Sequence, residues 1–251
     1  MTVSIAITGK SGSGKTTVVK ALWKVLKKKH PNKSILLFDN DLTGELGHSF
    51  GKDIRNTIYG IRSGKHEYKT GIPENMTKQE FVEWALEDII EPLDDNTDII
   101  VSWLVGSKDC RCPITKQLND ALVKLINRYD FVIFDCEFDL KYLYQLVDIP
   151  INVTLIIAGT NEPSIHLAKR IDEYSAKYAA GEQLGVLLNK VDNQNIDPLL
   201  ELLNKYDLTT LGTIPKDSEL KENMISKDSK VVENSMEQLY YRLNIPQNEE
   251  M

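Results

Sequence analysis

The sequence predicts a single-domain α/β fold, with a mostly parallel central sheet flanked by helices on both faces. Three observations carry this. Short β-branched runs alternate with longer amphipathic stretches along the 251 residues. The short runs are apolar at consecutive positions, so both faces of the sheet must be covered. A glycine-rich turn joins the first run to the first amphipathic stretch. With 41% hydrophobic residues, a chain of this length can bury one large core, and we expect one domain over residues 1–251.

The expected strands are VSIAIT (3–8), SILLFD (34–39), DIIVSWLVG (98–106), DFVIFD (130–135), NVTLIIAG (152–159) and LGVLLNK (184–190). The stretch KTTVVKALWKVLKKKHP reads as a helix that starts at the glycine turn. Its cationic end and Pro31 suit the negative end of a helix dipole. TKQEFVEWALEDIIEP reads as a second helix, with Thr77 and Glu80 in capping-box spacing and Pro92 closing it. Residues 44–76 are expected to be a mobile connection carrying a short helix. The final PQNEEM (246–251) reads as a disordered tail.

No apolar run approaches the ~20 residues needed to cross a bilayer, and no charged-then-apolar leader opens the chain. The expectation is a cytoplasmic protein without a membrane partner. A net charge of −7 argues against a nucleic-acid partner. Three cysteines do not make a disulfide framework.

GKSGSGKT (9–16) fits the pattern G-x-x-x-x-G-K-[ST] between an expected strand and an expected helix, the context that makes the match structural. Gly9, Ser11, Gly12, Ser13 and Gly14 would supply a loop whose N–H groups curl around an anion. Lys15 would reach the β- and γ-phosphates, and Thr16 would face Mg²⁺ at the positive end of the helix, with Thr17 counted among the nucleotide-binding residues. Asp39, Asp41 and Asp135 stand at strand ends, where an α/β sheet opens its ligand crevice. There carboxylates can hold Mg²⁺ or orient a water. LLNKVD places Asn189, Lys190 and Asp192 at another strand end. N-K-x-D also looks like the guanine-recognition motif of GTPases, so ATP and GTP both stay open.

Cys110 and Cys112 in GSKDCRCPIT are too close for an easy disulfide. Two thiolates are half of a closed tetrahedral metal site. Two copies of the loop about a two-fold axis would complete it, with zinc, nickel, copper(I) or iron–sulfur as candidates; small apolar loop fillers are the alternative.

Lys10, early in the loop, resembles the deviant Walker A lysine of the MinD, ParA and nitrogenase iron-protein ATPases. That resemblance implies a nucleotide-sandwich homodimer in which Lys10 reaches the partner's phosphates. It gives Asp41 the water-orienting role, Asp39 a companion role, Asp135 the Walker B role, Asn189 a hydrogen bond to the base and TIPKD, with Pro215, a place beside the base. From residue 3 to about 232 the order GKSGSGKTT, DND, CRCP, YDFVIFDCE, LLNKV and LGTIPKD is similar to the CooC-type ATPases. These mature nickel-containing carbon monoxide dehydrogenase. The resemblance implies a homodimer that binds ATP/ADP with Mg²⁺, holds Ni²⁺ or Zn²⁺ between its C-x-C loops, and serves a client metalloenzyme of that kind. One departure is Asp139, where that family has a glycine near the γ-phosphate; a carboxylate there implies slow hydrolysis or a rearranged switch. Cys136 is expected to be a buried filler, and His48 and His66 to have surface or packing roles. The rival readings are a positioning or partitioning ATPase and a non-hydrolysing, nucleotide-gated scaffold.

Overall fold

Eight strands pair into one sheet among the described residues of a computed structural model, which describes residues 1–41, 44–63, 72–103, 115–137, 140, 143, 146–178, 183–192, 196–218, 228–243 and 245. They are β1 (Val3–Gly9), β2 (Ile35–Asn40), β3 (Glu91–Asp94), β4 (Thr97–Val101), β5 (Phe131–Cys136), β6 (Val153–Ala158), β7 (Gln183–Val191) and β8 (Thr210–Pro215). Their spatial order is β3-β4-β2-β5-β1-β6-β7-β8. Every pairing is parallel except β3 with β4. Among the described residues the helices are α1 (Lys15–Lys29), α2 (Glu45–Ser49), α3 (Ile58–Ser63), α4 (Lys78–Asp88), α5 (Thr115–Ile126), α6 (Glu162–Tyr178), α7 (Ile196–Lys205) and α8 (Lys230–Tyr240).

Alternation along the strands explains the two helical layers, because successive side chains leave a strand on opposite faces. Ile5, Ile7, Leu37, Ile133 and Leu155 pack with Leu22 and Leu26 of α1 and Met236 of α8. Ala6, Leu36, Phe38, Phe134 and Ile156 pack on the other face with Val82 of α4, Leu122 of α5 and Ile165 of α6. The expected doubly covered parallel sheet is the observed one.

Three boundaries differ from the sequence expectation. The capping box of α4 is present, with Thr77 and Glu80 bonded reciprocally, but the helix ends at Asp88. Pro92 instead lies in β3, an antiparallel edge strand, where a missing N–H is tolerated. Among the described residues, the strand expected over 98–106 pairs as far as Val101, and Trp103 takes a left-handed backbone (φ 52°) that departs from strand geometry; residues 104–106 lie outside the described residues. Among its described residues, the connection over 44–76 carries two short helices, α2 and α3. The tail at 246–251 lies outside the described residues.

Helix α8 is tied to α1. Val232, Met236, Leu239 and Tyr240 are buried, Lys24 pairs with Asp228 at 2.7 Å, and His30 Nε2 lies 2.7 Å from the Tyr240 hydroxyl. Among the described residues, no helix is long and apolar enough to cross a membrane.

Candidate phosphate and cation site

Because seven strands run parallel, the ends of β1, β2, β5, β7 and β8 open on one edge of the sheet, where such folds bind ligands. The loop from Gly9 to Gly14 leaves β1 there. Gly9 (φ 147°) is pressed against the Ile157 carbonyl: a Cβ would lie 2.3 Å from that oxygen. Gly14 (φ 94°) is the N-cap of α1, and among the described residues no side chain caps the helix. The first-turn N–H groups are therefore left for a ligand, and an anion suits them.

Lys15 is buried, and its ammonium lies 3.5 Å from the Lys10 carbonyl, which also accepts from the Ser13 N–H at 3.0 Å. Lys10, Ser11 and Gly12 are exposed at the loop's crest. Thr16, in the first turn of α1, donates to Asp135 Oδ2 at 2.8 Å. Thr17 faces the other way, into a cleft it shares with Lys20, Asp228 and Ser229.

Asp39 and Asp135 are register partners on β2 and β5, and both are buried. Asp39 accepts from the Asp41 N–H at 3.1 Å and from Leu46 and Gly47 N–H at 3.1 and 3.4 Å. It thus caps α2 from a distance. Burial, with the Asp135 charge adding to it, pushes Asp39 up to about 8 against these hydrogen bonds. Burial also raises Asp135 to about 7, although Thr16 and Lys15 pull it down. Asp41, half-buried just past β2, adds to the rise in Asp135, as does Glu45. Burial and Asp41 likewise raise Glu137. Glu45 and Glu137 went unmarked in the sequence; Glu137's position two residues past Asp135 was the available signal.

A divalent cation fits this donor set. Among the described residues, Oδ1 of Asp135 is buried without a hydrogen-bond partner, and two raised carboxylates favour a compensating positive charge. Among the described residues, no group of three or more His, Cys, Asp or Glu closes around a metal. Mg²⁺ takes one or two protein ligands and fills its shell with water and phosphate oxygens, a need that Thr16 and Asp135 can meet.

At the end of β7, Asn189 is buried and its Nδ2 donates to the Ser13 carbonyl at 2.7 Å. Lys190 adopts φ 61°, and its ammonium donates to the Gly12 carbonyl at 3.2 Å. Pro215 of β8 is the register partner of Val191, so it stands beside this turn. Asp192 is exposed.

Cys110, Cys112, Asp139 and His66 lie outside the described residues. The chain enters the C-x-C segment from Trp103, whose indole would meet a Cβ on Gly44 at 3.2 Å. Trp103, Gly44, His48 and Asp53 line a cleft of about 150 Å³. His48 is exposed, and Cys136 is buried with its thiol pushed up by burial.

The CobQ/CobB/MinD/ParA nucleotide binding domain family matches residues 4–231. An uncharacterized ATP-binding protein of Methanocaldococcus jannaschii is 27% identical over 224 residues, covering 87% of this chain and 86% of the relative. Among solved structures, the ParA family ATPase of Chlorobium tepidum superposes with a TM-score of 0.68 at 13% identity over 97% of this chain and 99% of that one. The septum site-determining protein MinD of Pyrococcus horikoshii, complexed with Mg-ADP, superposes with a TM-score of 0.64 at 19% identity over 97% and 96%. These two likenesses establish the shared fold.

Proposed function

The chain belongs to the CobQ/CobB/MinD/ParA nucleotide-binding domain family, and from that premise we propose a Mg-ATP-dependent ATPase that works as a homodimer and serves metal delivery to a client metalloenzyme. The observation carrying the ATPase reading is the Thr16–Asp135 hydrogen bond beside the buried Lys15. It joins the phosphate loop to a cation-holding carboxylate. The ATP-binding relative and the Mg-ADP complex of a structural neighbour support the choice of nucleotide. Mg²⁺, held by Thr16 and Asp135, would neutralise charge on the phosphates. Lys15 would bind the β- and γ-phosphates, Asp41 would orient the attacking water, and Lys10 of a second copy would stabilise developing charge.

The metal role rests on Cys110 and Cys112, which in two copies would give four thiolates for Ni²⁺ or Zn²⁺. A path toward that loop supports coupling to nucleotide. Asp39 holds α2 through Leu46 and Gly47 N–H, its carbonyl accepts from Ser102 N–H at 2.8 Å, and Trp103 abuts Gly44. A positioning or partitioning role is the second reading, favoured by the likeness to the ParA family ATPase.

Phosphate release from Mg-ATP, measured with and without Ni²⁺ or Zn²⁺, tests the enzyme reading. We expect release that disappears in Lys15→Ala, and no release under any condition would remove it. Non-denaturing mass measurement tests the metal reading. One metal per dimer, absent in Cys110→Ser/Cys112→Ser, is expected; one per monomer, or retention in the double variant, would refute the shared site.

A further inference from the structure

We propose that Asn189 and Lys190 are positioning residues of the phosphate cradle, a clamp from β7 that holds two peptide planes of the loop in their anion-binding orientation. The inference rests on the phosphate-site reading above and assigns Asn189 a role other than contact with the base.

Both ends of the Asn189 amide are engaged: Nδ2 donates to the Ser13 carbonyl, and Oδ1 accepts from the Lys190 N–H at 2.8 Å. That second bond accompanies the left-handed backbone of Lys190, from which its ammonium reaches the Gly12 carbonyl. Two consecutive carbonyls of the loop are thus drawn toward β7. A trans peptide is planar, so drawing a carbonyl to one side turns the following N–H to the other. The Ser13 and Gly14 N–H groups then face away from β7. The Ser13 N–H and the Lys15 ammonium already converge on one acceptor, the Lys10 carbonyl. A phosphate oxygen bound in the loop would take these two donors in place of that carbonyl. A Cβ at Gly14 would lie 2.4 Å from Nδ2, so a side chain there would push the Asn189 amide off the loop.

A cradle residue and a base reader differ toward a ligand without a base. Calorimetric titration of Mg-ATP and of inorganic tripolyphosphate with Mg²⁺ into the full chain separates them. We expect the wild type to bind both. Asn189→Ala and Lys190→Ala should each weaken both ligands by the same factor, about five- to tenfold, as for one lost hydrogen bond. Lys190→Arg should restore affinity. Loss confined to Mg-ATP would make these residues base readers and overturn the inference, as would unchanged binding of both ligands. Should Asn189→Ala not fold, Lys190→Ala, altered at an exposed side chain, decides the matter with the same two ligands. A wild type that binds Mg-ATP but not tripolyphosphate also overturns the clamp while sparing the nucleotide reading. A wild type that binds neither removes the nucleotide reading itself.

Discussion

The Thr16 hydroxyl donates to Oδ2 of Asp135 at 2.8 Å, joining the first turn of α1 to the end of β5. The two residues lie 119 positions apart in the chain. Their contact puts a hydroxyl and a carboxylate at the mouth of the loop that presents Lys15. A cation there would take the hydroxyl oxygen as ligand and require its proton to point elsewhere. We therefore expect Thr16→Ala to lower Mg-dependent ATP turnover by about 100-fold, the scale seen when one stabiliser of transition-state charge is removed. Thr16→Ser should keep most of it. Steady-state rates at saturating Mg²⁺ check this, and equal rates for Ala and Ser would sink it.

The carboxylate pair predicts a pH dependence with a definite sign. Asp39 and Asp135 are raised from 3.8 to about 8 and about 7, so the folded chain holds protons that the unfolded chain has released. Their contribution to stability is full below pH ~4 and declines as pH rises through the folded values. Without divalent cations, melting temperature should therefore fall between pH 6 and pH 8.5, and Mg²⁺ should bind more tightly across the same interval. Asp135→Asn removes one charge and should stabilise the cation-free fold at pH 8 by roughly 1 kcal/mol, about 2–4 °C in Tm for a chain of this size, while abolishing Mg²⁺ dependence. A variant that melts lower than wild type at pH 8 would contradict this reading.

Gly14→Ala should disable the phosphate loop rather than the fold. The position combines φ 94° with a Cβ only 2.4 Å from Asn189 Nδ2, so the new methyl must displace the amide and strain the backbone. ATP affinity is expected to drop at least about tenfold, one lost hydrogen bond plus backbone strain. Equilibrium titration of a fluorescent ATP analogue measures it; undiminished affinity would show that the loop tolerates the displacement.

Helix α8 is expected to act as part of the core. Met236 is fully buried, and its truncation to Ala should cost about 2–5 kcal/mol. Lys28→Ala breaks an exposed pair with Glu237 at 3.1 Å and should cost less than about 1 kcal/mol. Urea unfolding compares the two. A Met236→Ala variant as stable as wild type would point to a detachable helix and strengthen the positioning reading over metal delivery.

Much of this molecule was legible in its sequence. The strand runs, the glycine loop of 9–16 and the Thr77–Glu80 capping box are local properties. Hydrophobic periodicity, glycine's access to positive φ and side-chain reach over one turn act within a few residues. The same locality explains the errors. Nothing near Pro92 in the chain says that residues 91–94 will find an edge beside β4, and nothing in DIIVSWLVG says that Trp103 will leave the strand.

Which strand ends meet was decided only by tertiary packing. β2 and β5 become neighbours because the helices between them cross over the sheet, and that pairing sets Asp39 beside Asp135, shifts both carboxylates and lets Asp39 cap α2. Asn189 reaches Ser13 across 176 positions for the same reason. A residue's type and its local pattern travel with the chain, but its partners across a parallel sheet depend on the order in which the whole sheet is wound.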